Sequence, residues 1–203
     1  MIPIYTIGHS THDLDDLLAL LAKAGIAAVA DVRSAPYSKR YPHFNREAFR
    51  KSLEKCGIYY VFMGAELGGR GSDESMRDGE GRVRYASIGK SPDFGNGIER
   101  ILAGSERMSI ALMCTEKDPL FCHRGILISR HIAARGVVVL HIHPDGRFET
   151  HRDAETRLCQ IVGLGEPDMF RTEDQIIAEA YARQEARIAY VMPTGRDRGK
   201  ALR

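Results

Sequence analysis

Ser109-Ile-Ala-Leu-Met-Cys114, followed by Thr115-Glu-Lys-Asp-Pro-Leu-Phe-Cys122-His-Arg124, an apolar run to Arg135 and Val137-Val-Val-Leu-His-Ile142, is the stretch that decides the fold. It reads as strand, loop through Pro119, helix to Arg135 and strand. Two apolar strands separated by a helical return make a βαβ unit, because parallel neighbours require a long crossover that covers one face of the sheet.

The same alternation extends outward. Ile2 to Ile7 is β-prone and ends at Gly8, and Leu14, Leu17, Leu18 and Leu21 then recur at helical spacing until Gly25. Ala27 to Asp31 reads as a second strand, followed by a polar loop, Arg33 to His43, and a helix starting near Asn45, a candidate N-cap, with Phe49 and Leu53 on one face. Tyr59 to Met63 makes a third strand. Gly64 to Pro92 holds seven glycines with no sustained periodicity and is expected to be a long loop, and a helix around Ile98 to Ala103 precedes the deciding stretch. After His143 come a Pro144-Asp145-Gly146 turn, helices over Asp153–Val162 and Thr172–Tyr190, and a basic tail, Thr194–Arg203. The expectation is an α/β fold: a three-layer αβα sandwich with a mainly parallel five-stranded sheet over residues 1–158, then a helical C-terminal extension with a loose basic tail over 159–203.

Composition narrows the function classes only a little. A hydrophobic fraction of 43% over 203 residues is enough for a buried core, and 29 basic against 27 acidic side chains leave a formal charge of +2, too small for global attraction to nucleic acid or to an anionic membrane. No apolar run reaches the length of a membrane span and no signal-peptide pattern opens the chain, so the cytoplasm is the expected location. Cys56, Cys114, Cys122 and Cys159 lack the paired spacing of a disulfide framework and are expected to be thiols.

The polar residues fall where open parallel sheets place ligands, at the C-terminal ends of the strands. These are Gly8, His9 and Ser10 after the first strand, Asp31 and Arg33 after the second, Cys114 and Glu116 after the fourth, and His141 in the fifth. Asp31 and Arg33 share one side of an extended segment, which suits an ion pair or a shared substrate clamp. Asp118 is placed to cap a helix whose first residue is Pro119, which would leave Cys122, His123 and Arg124 in its first turn and a half. There the helix dipole favours anions and lowers a thiol pKa, and Arg124 would add bidentate anion recognition. The alternative for each is packing: Cys122 as a small buried side chain and Arg124 as a structural ion-pair partner.

Several familiar sites are excluded by spacing. Ile128 and Leu120 stand six residues after Cys122 and Cys114, where a Cys-x5-Arg phosphatase loop needs arginine. There is no Cys-x2-Cys pair, and His141 and His143 should face opposite sides of a strand, so no metal site is expected. Gly89-Lys90-Ser91 resembles the end of a phosphate-binding P-loop, but Arg84 stands at the required first glycine and Pro92 follows. Leu67-Gly-Gly-Arg-Gly71 offers a backbone anion nest or, more simply, turns.

Taken together, Tyr5-Thr-Ile-Gly-His-Ser10, Asp31-Val-Arg33 with Pro36 and Ser38, Gly57-Ile-Tyr-Tyr60 and Leu67-Gly-Gly69 resemble the DUF488 family over residues 2 to 158. The resemblance continues through Leu112-Met-Cys114, Glu116, Pro119, Cys122-His-Arg124, His141-Ile142, Gly146 and His151, the cysteine-to-arginine segment being the most distinctive. It implies the three-layer fold and marks Gly8, His9, Asp31, Arg33, Cys114, Glu116, Cys122, His123 and Arg124 as site candidates, without supplying a reaction or a cofactor.

The leading expectation is an enzyme for a phosphate-bearing or otherwise anionic substrate, including nucleotides or nucleic acid. His9, Glu116, Cys122 and His123 would do the acid, base or nucleophile work. Gly8, Ser10, Asp31, Arg33, Cys114, Arg124 and His141 would line the substrate site. The alternatives are a non-catalytic nucleotide or nucleic-acid binding module, helped by Arg196, Arg198, Lys200 and Arg203, and a thiol or metal sensor built on Cys114 and Cys122.

Overall fold

The computed structural model describes residues 2–165 and 170–192, so the basic tail lies outside the described residues. In chain order the elements are β1 (Ile4–Gly8), α1 (Leu14–Lys23), β2 (Ala28–Asp31), α2 (Arg46–Lys55), β3 (Tyr59–Phe62), α3 (Gly64–Leu67), α4 (Tyr85–Gly89), α5 (Pro92–Ser105) and β4 (Ile110–Cys114). A π-helical turn, Arg124–Ser129, then runs into α6 (Arg130–Ala133), followed by β5 (Val139–Ile142), β6 (Phe148–Thr150), α7 (His151–Ile161) and α8 (Glu173–Ile188). Among the described residues the sheet has six strands in the order β3-β2-β4-β1-β5-β6. β1 to β5 pair in parallel, and β6 returns antiparallel to β5.

Side-chain alternation divides the core between the two faces of the sheet. Ile7, Val29, Ala111, Met113 and Ile142 pack under Leu17 and Leu21 of α1 and Phe49 and Leu53 of α2. Ile4, Ala30, Leu112, Cys114 and Val139 face the opposite layer, which includes Ile98 of α5, Ile132 of α6, Leu158 of α7 and Tyr181 of α8. α8 therefore closes the same apolar cluster as the sheet, and its Gln184 amide donates to the Leu120 carbonyl at 2.8 Å. Among the described residues no helix is long and apolar enough to cross a membrane.

The strand order locates the ligand crevice. The connection after β2 runs to β3 on one side and the connection after β4 runs to β5 on the other, so the chain parts between the neighbouring strands β2 and β4, as at the switch points where open α/β sheets bind ligands. Gly8 ends the neighbouring β1 without a side chain because the Glu116 carbonyl occupies the space a β-carbon would need. The His9 and Ser10 amides donate to the Cys114 and Thr115 carbonyls at 2.9 and 2.8 Å, which extends the pairing past the strand ends. Ser10 adopts a left-handed φ of 45°, uncommon for a residue with a side chain.

Four expectations change. A sixth strand, β6, follows the Pro144–Gly146 turn, and the glycine-rich stretch contains α3 and α4 in addition to turns. Asn45 occupies the N-cap position of α2, but its side chain accepts from the Ser38 amide at 2.6 Å instead of from a helix amide. Finally, no single helix starts at Pro119. Asp118 caps a 3-10 turn, Pro119–Phe121, after which Cys122 is extended (φ −143°, ψ 145°) and precedes the π-helical turn. Cys122 and His123 thus lie at the mouth of the helical segment, not inside its first turn.

Candidate functional site

A cavity of about 200 Å³ opens at this parting of the sheet, lined among others by Arg33, Ser34, Gly69, Arg70, Tyr85, Cys114, Glu116, Cys122, His123 and Tyr190. Cys114 comes from the end of β4, Cys122 and His123 from the break before the π-helical turn, and Ser34 and Arg33 from the loop after β2. Cys114, Cys122 and His123 are each at least nine-tenths buried, so their mutual interactions are only weakly screened.

His123 sets the chemistry of the two thiols. Its Nε2 lies 3.0 Å from the Val32 carbonyl, which can only accept, so Nε2 carries a proton in either charge state. Nδ1 is left facing the sulfurs, 3.7 Å from Cys114 Sγ and 3.8 Å from Cys122 Sγ. The backbone of Gly69 lies against this ring so closely that a β-carbon there would fall 2.6 Å from His123 Cγ.

Burial opposes ionisation of Cys122, but the hydrogen bond from Cys114, the Arg124 charge and His123 outweigh it and hold this thiol well below its ordinary value. The Arg124 amide, 3.5 Å from Cys122 Sγ, adds a donor to the same sulfur. Cys114 moves the opposite way, pushed up by the proton it shares with Cys122 and by burial. Burial would lower His123, yet the neighbouring Cys122 charge raises it. These shifts favour a thiolate on Cys122 and a proton on His123 beside a Cys114 that keeps its own. Glu116 stands at the rim with Oε2 3.3 Å from Cys114 Sγ, its carboxyl pushed up by partial burial and by the Cys122 charge.

Arg33, His9 and Asp31 form a second, adjoining cluster. Arg33 donates to Asp31 through Nε (2.8 Å) and Nη2 (2.6 Å) and to the Phe44 carbonyl, and Tyr60 also donates to Asp31 at 2.7 Å. His9 Nδ1 lies 3.2 Å from the Ser10 carbonyl, so its Nε2 accepts from Arg33 Nη1 at 3.3 Å. Burial and Arg33 lower the His9 pKa to about 4. His9 is thus a neutral support for Arg33, and it does not line the cavity.

Two further candidates stand away from the cavity lining. Arg124 is fully buried and donates to the Glu116 and Lys117 carbonyls at 2.6 and 3.1 Å, which shapes the loop after β4. Its Nε reaches Thr6 at 3.4 Å, and from Thr6 a hydrogen-bonded chain leads away through His141 (2.7 Å), His151 (3.0 Å) and Tyr181 (2.9 Å) to Glu155 (2.9 Å). Arginine can only donate and a carboxylate only accept, so every link can point the same way with both histidines neutral. His141 belongs to this chain, away from the cavity lining, while His143 turns to Glu149 at 2.8 Å.

Sequence reasoning missed Ser34, Arg70, Tyr85 and Tyr190. Arg70 lies with its guanidinium over the Tyr190 ring at 4.9 Å. The Val83 amide donates to the Tyr190 carbonyl at 2.9 Å, and the Met192 amide to the Gly81 carbonyl at 3.0 Å, fastening the chain after α8 to the glycine-rich stretch. The glycine cluster at 68–71 was the available signal for this wall; nothing in the spacing announced Tyr190.

The fold and site define a doubly wound α/β protein with a dithiol–imidazole pocket at its topological switch point. Residues 13–131, more than half of the chain, match the family described as domain of unknown function DUF488, and the chain belongs to that family. The match includes Asp31, Arg33, Cys114, Glu116, Cys122, His123 and Arg124, while Gly8, His9, Ser10 and His141 lie outside it. No curated protein and no solved structure matches the chain.

Proposed function

We propose that this DUF488 protein is an enzyme in which the Cys122 thiolate attacks a small anionic substrate held in the cavity. The observation that carries this reading is the fixed His123 ring. With Nε2 committed to Val32, its Nδ1 is the one basic atom presented to both sulfurs. Cys122 Sγ forms a bond to the electrophilic atom, the leaving group departs with the bonding pair, and His123 Nδ1–H protonates it. Cys114 stays protonated and stabilises the thiolate. Glu116 at the rim serves as the second acid–base group. Arg70, and Arg33 where Asp31 leaves it charge to spare, supply the attraction for an anion, including a phosphate or a nucleotide.

Alkylation of Cys122, followed by mass spectrometry across pH, tests this. The rate should titrate well below the value of about 8.5 typical of a free thiol. Phosphate or one of a panel of nucleotides should slow it. An ordinary midpoint with no ligand protection would reduce Cys122 to a packing residue.

A further inference from the structure

The donors that tune Cys122 have a second geometric property which nucleophilic attack does not use. A tetrahedral zinc ion with a thiolate at about 2.3 Å and an imidazole at about 2.0 Å places sulfur and nitrogen about 3.5 Å apart. In this protein both sulfurs lie near that distance from one and the same nitrogen, His123 Nδ1, at 3.7 and 3.8 Å. The three donor atoms all fall within 4.8 Å of one another. A shared proton requires only one such approach at a time; two together enclose a common point.

The surroundings agree. Histidines that bind metals donate their other ring N–H to a carboxylate or a backbone carbonyl, which fixes the ring and raises its basicity. The bond from Nε2 to the Val32 carbonyl at 3.0 Å is such a support. Glu116 lines the cavity with Oε2 3.3 Å from Cys114 Sγ, the one carboxylate near the three donors in that lining. Cys114 is delivered by β4 and not by a neighbouring loop, which is why no short cysteine spacing announces the arrangement. Two sulfurs and an imidazole favour Zn²⁺ over Mg²⁺ or Ca²⁺, which prefer oxygen ligands.

We propose that Cys114, Cys122 and His123 form a mononuclear Zn²⁺ site whose fourth position, facing the cavity, is filled by Glu116 or by water. Binding releases to solvent the proton of the Cys114 thiol and the Nδ1 proton of His123, leaves both sulfurs as thiolates, and ties up the Cys122 lone pair. The site goes beyond the catalytic reading and stands on different grounds: the loaded protein holds a blocked nucleophile, and the reduced, metal-free protein a free one.

The test uses the full chain, reduced and stripped of metal. Zn²⁺ titrated against a chromophoric chelator should bind at one equivalent per chain. Co²⁺ in its place should give the visible bands of a tetrahedral ion with thiolate-to-cobalt charge transfer. Cys114→Ser, Cys122→Ser and His123→Ala should each weaken Zn²⁺ by about tenfold or more, as losses around zinc sites do, and Cys56→Ser should change nothing. Zn²⁺ should also abolish alkylation of Cys122. An octahedral cobalt spectrum, the absence of stoichiometric binding, or binding indifferent to Cys114→Ser would overturn the proposal. The wild-type cobalt spectrum decides even if a variant fails to fold. Failure here is separable from failure of the catalytic reading. A chain that ignores zinc but alkylates at low pH loses the metal site and keeps the nucleophile, and a zinc-binding chain with an ordinary thiol midpoint does the reverse.

Discussion

One imidazole ring decides how the two thiols of the pocket divide their protons. Removing its charge without removing its volume isolates that effect, because Glu116 and the Arg124 amide remain beside the sulfurs. His123→Gln should raise the midpoint for Cys122 alkylation by about one pH unit or more, equivalent to about 1.4 kcal/mol of lost thiolate stabilisation. An unchanged midpoint would assign the lowering to Arg124 and Cys114 instead. Residue types announced these participants in the sequence, and their grouping followed from strand ends. Their division into two clusters did not. Asp31 and Arg33 lie on a different side of the sheet edge from Cys114, and which face a side chain takes depends on strand register, which the spacing of motifs leaves open. Arg124 reads in the sequence as an anion binder or an ion-pair partner, whereas in the structure its guanidinium donates to carbonyls of its own preceding loop, a contact that no local pattern encodes.

The long elements were readable because their periodicity persists over several turns, as in α1, α2 and α8, the last with its Thr172–Gln175 capping box. The short ones were not. β6 is three residues long and exists by pairing with β5, and α3 and α4 are single turns stabilised by packing. The buried histidines that link β1, β5 and α7 make an element-scale prediction. A charged imidazole must donate through both nitrogens, so protonating His141 or His151 breaks the one-way chain from Thr6 to Tyr181. Burial holds His141 well below its ordinary value, and burial lowers His151 from 6.5 to about 4. Because the unfolded chain binds these protons first, the stabilisation is complete above pH 6.5 and is lost as pH falls towards 4. For His151 alone about 2 kcal/mol should be gone by pH 5. Urea denaturation at pH 7.5 and 5 should show this loss, and His151→Gln should shrink the difference between the two. An equal difference in the variant would mean that other groups carry it.

At the level of the whole molecule, the pocket has two sources. Arg33, Cys114, Cys122 and His123 lie inside the matched family segment, whereas Ile188 and Tyr190 come from the chain beyond it and close one wall. The alternation of strands and helices forecast a mainly parallel α/β body, and the six-stranded sheet agrees with that forecast. The wall escaped notice because it forms by pairing between residues far apart in sequence, Arg82 with Val191. Tyr190→Ala should therefore open the cavity. Alkylation of Cys122 by a neutral reagent should accelerate severalfold at an unchanged pH midpoint, and protection by an anion should weaken as Arg70 loses its ring partner. An unaltered rate would show that access is set elsewhere.

This division between a reactive floor and an added wall also has a practical reading. One part of the cavity wall, Ile188 and Tyr190, is encoded apart from the sulfurs and the imidazole, so the two are open to independent revision. Exchanging the segment after α8 would re-tailor which molecules enter while leaving the sulfurs, the imidazole and their proton traffic as they are. On the proposed catalytic reading, libraries aimed at new substrates should be built on that wall.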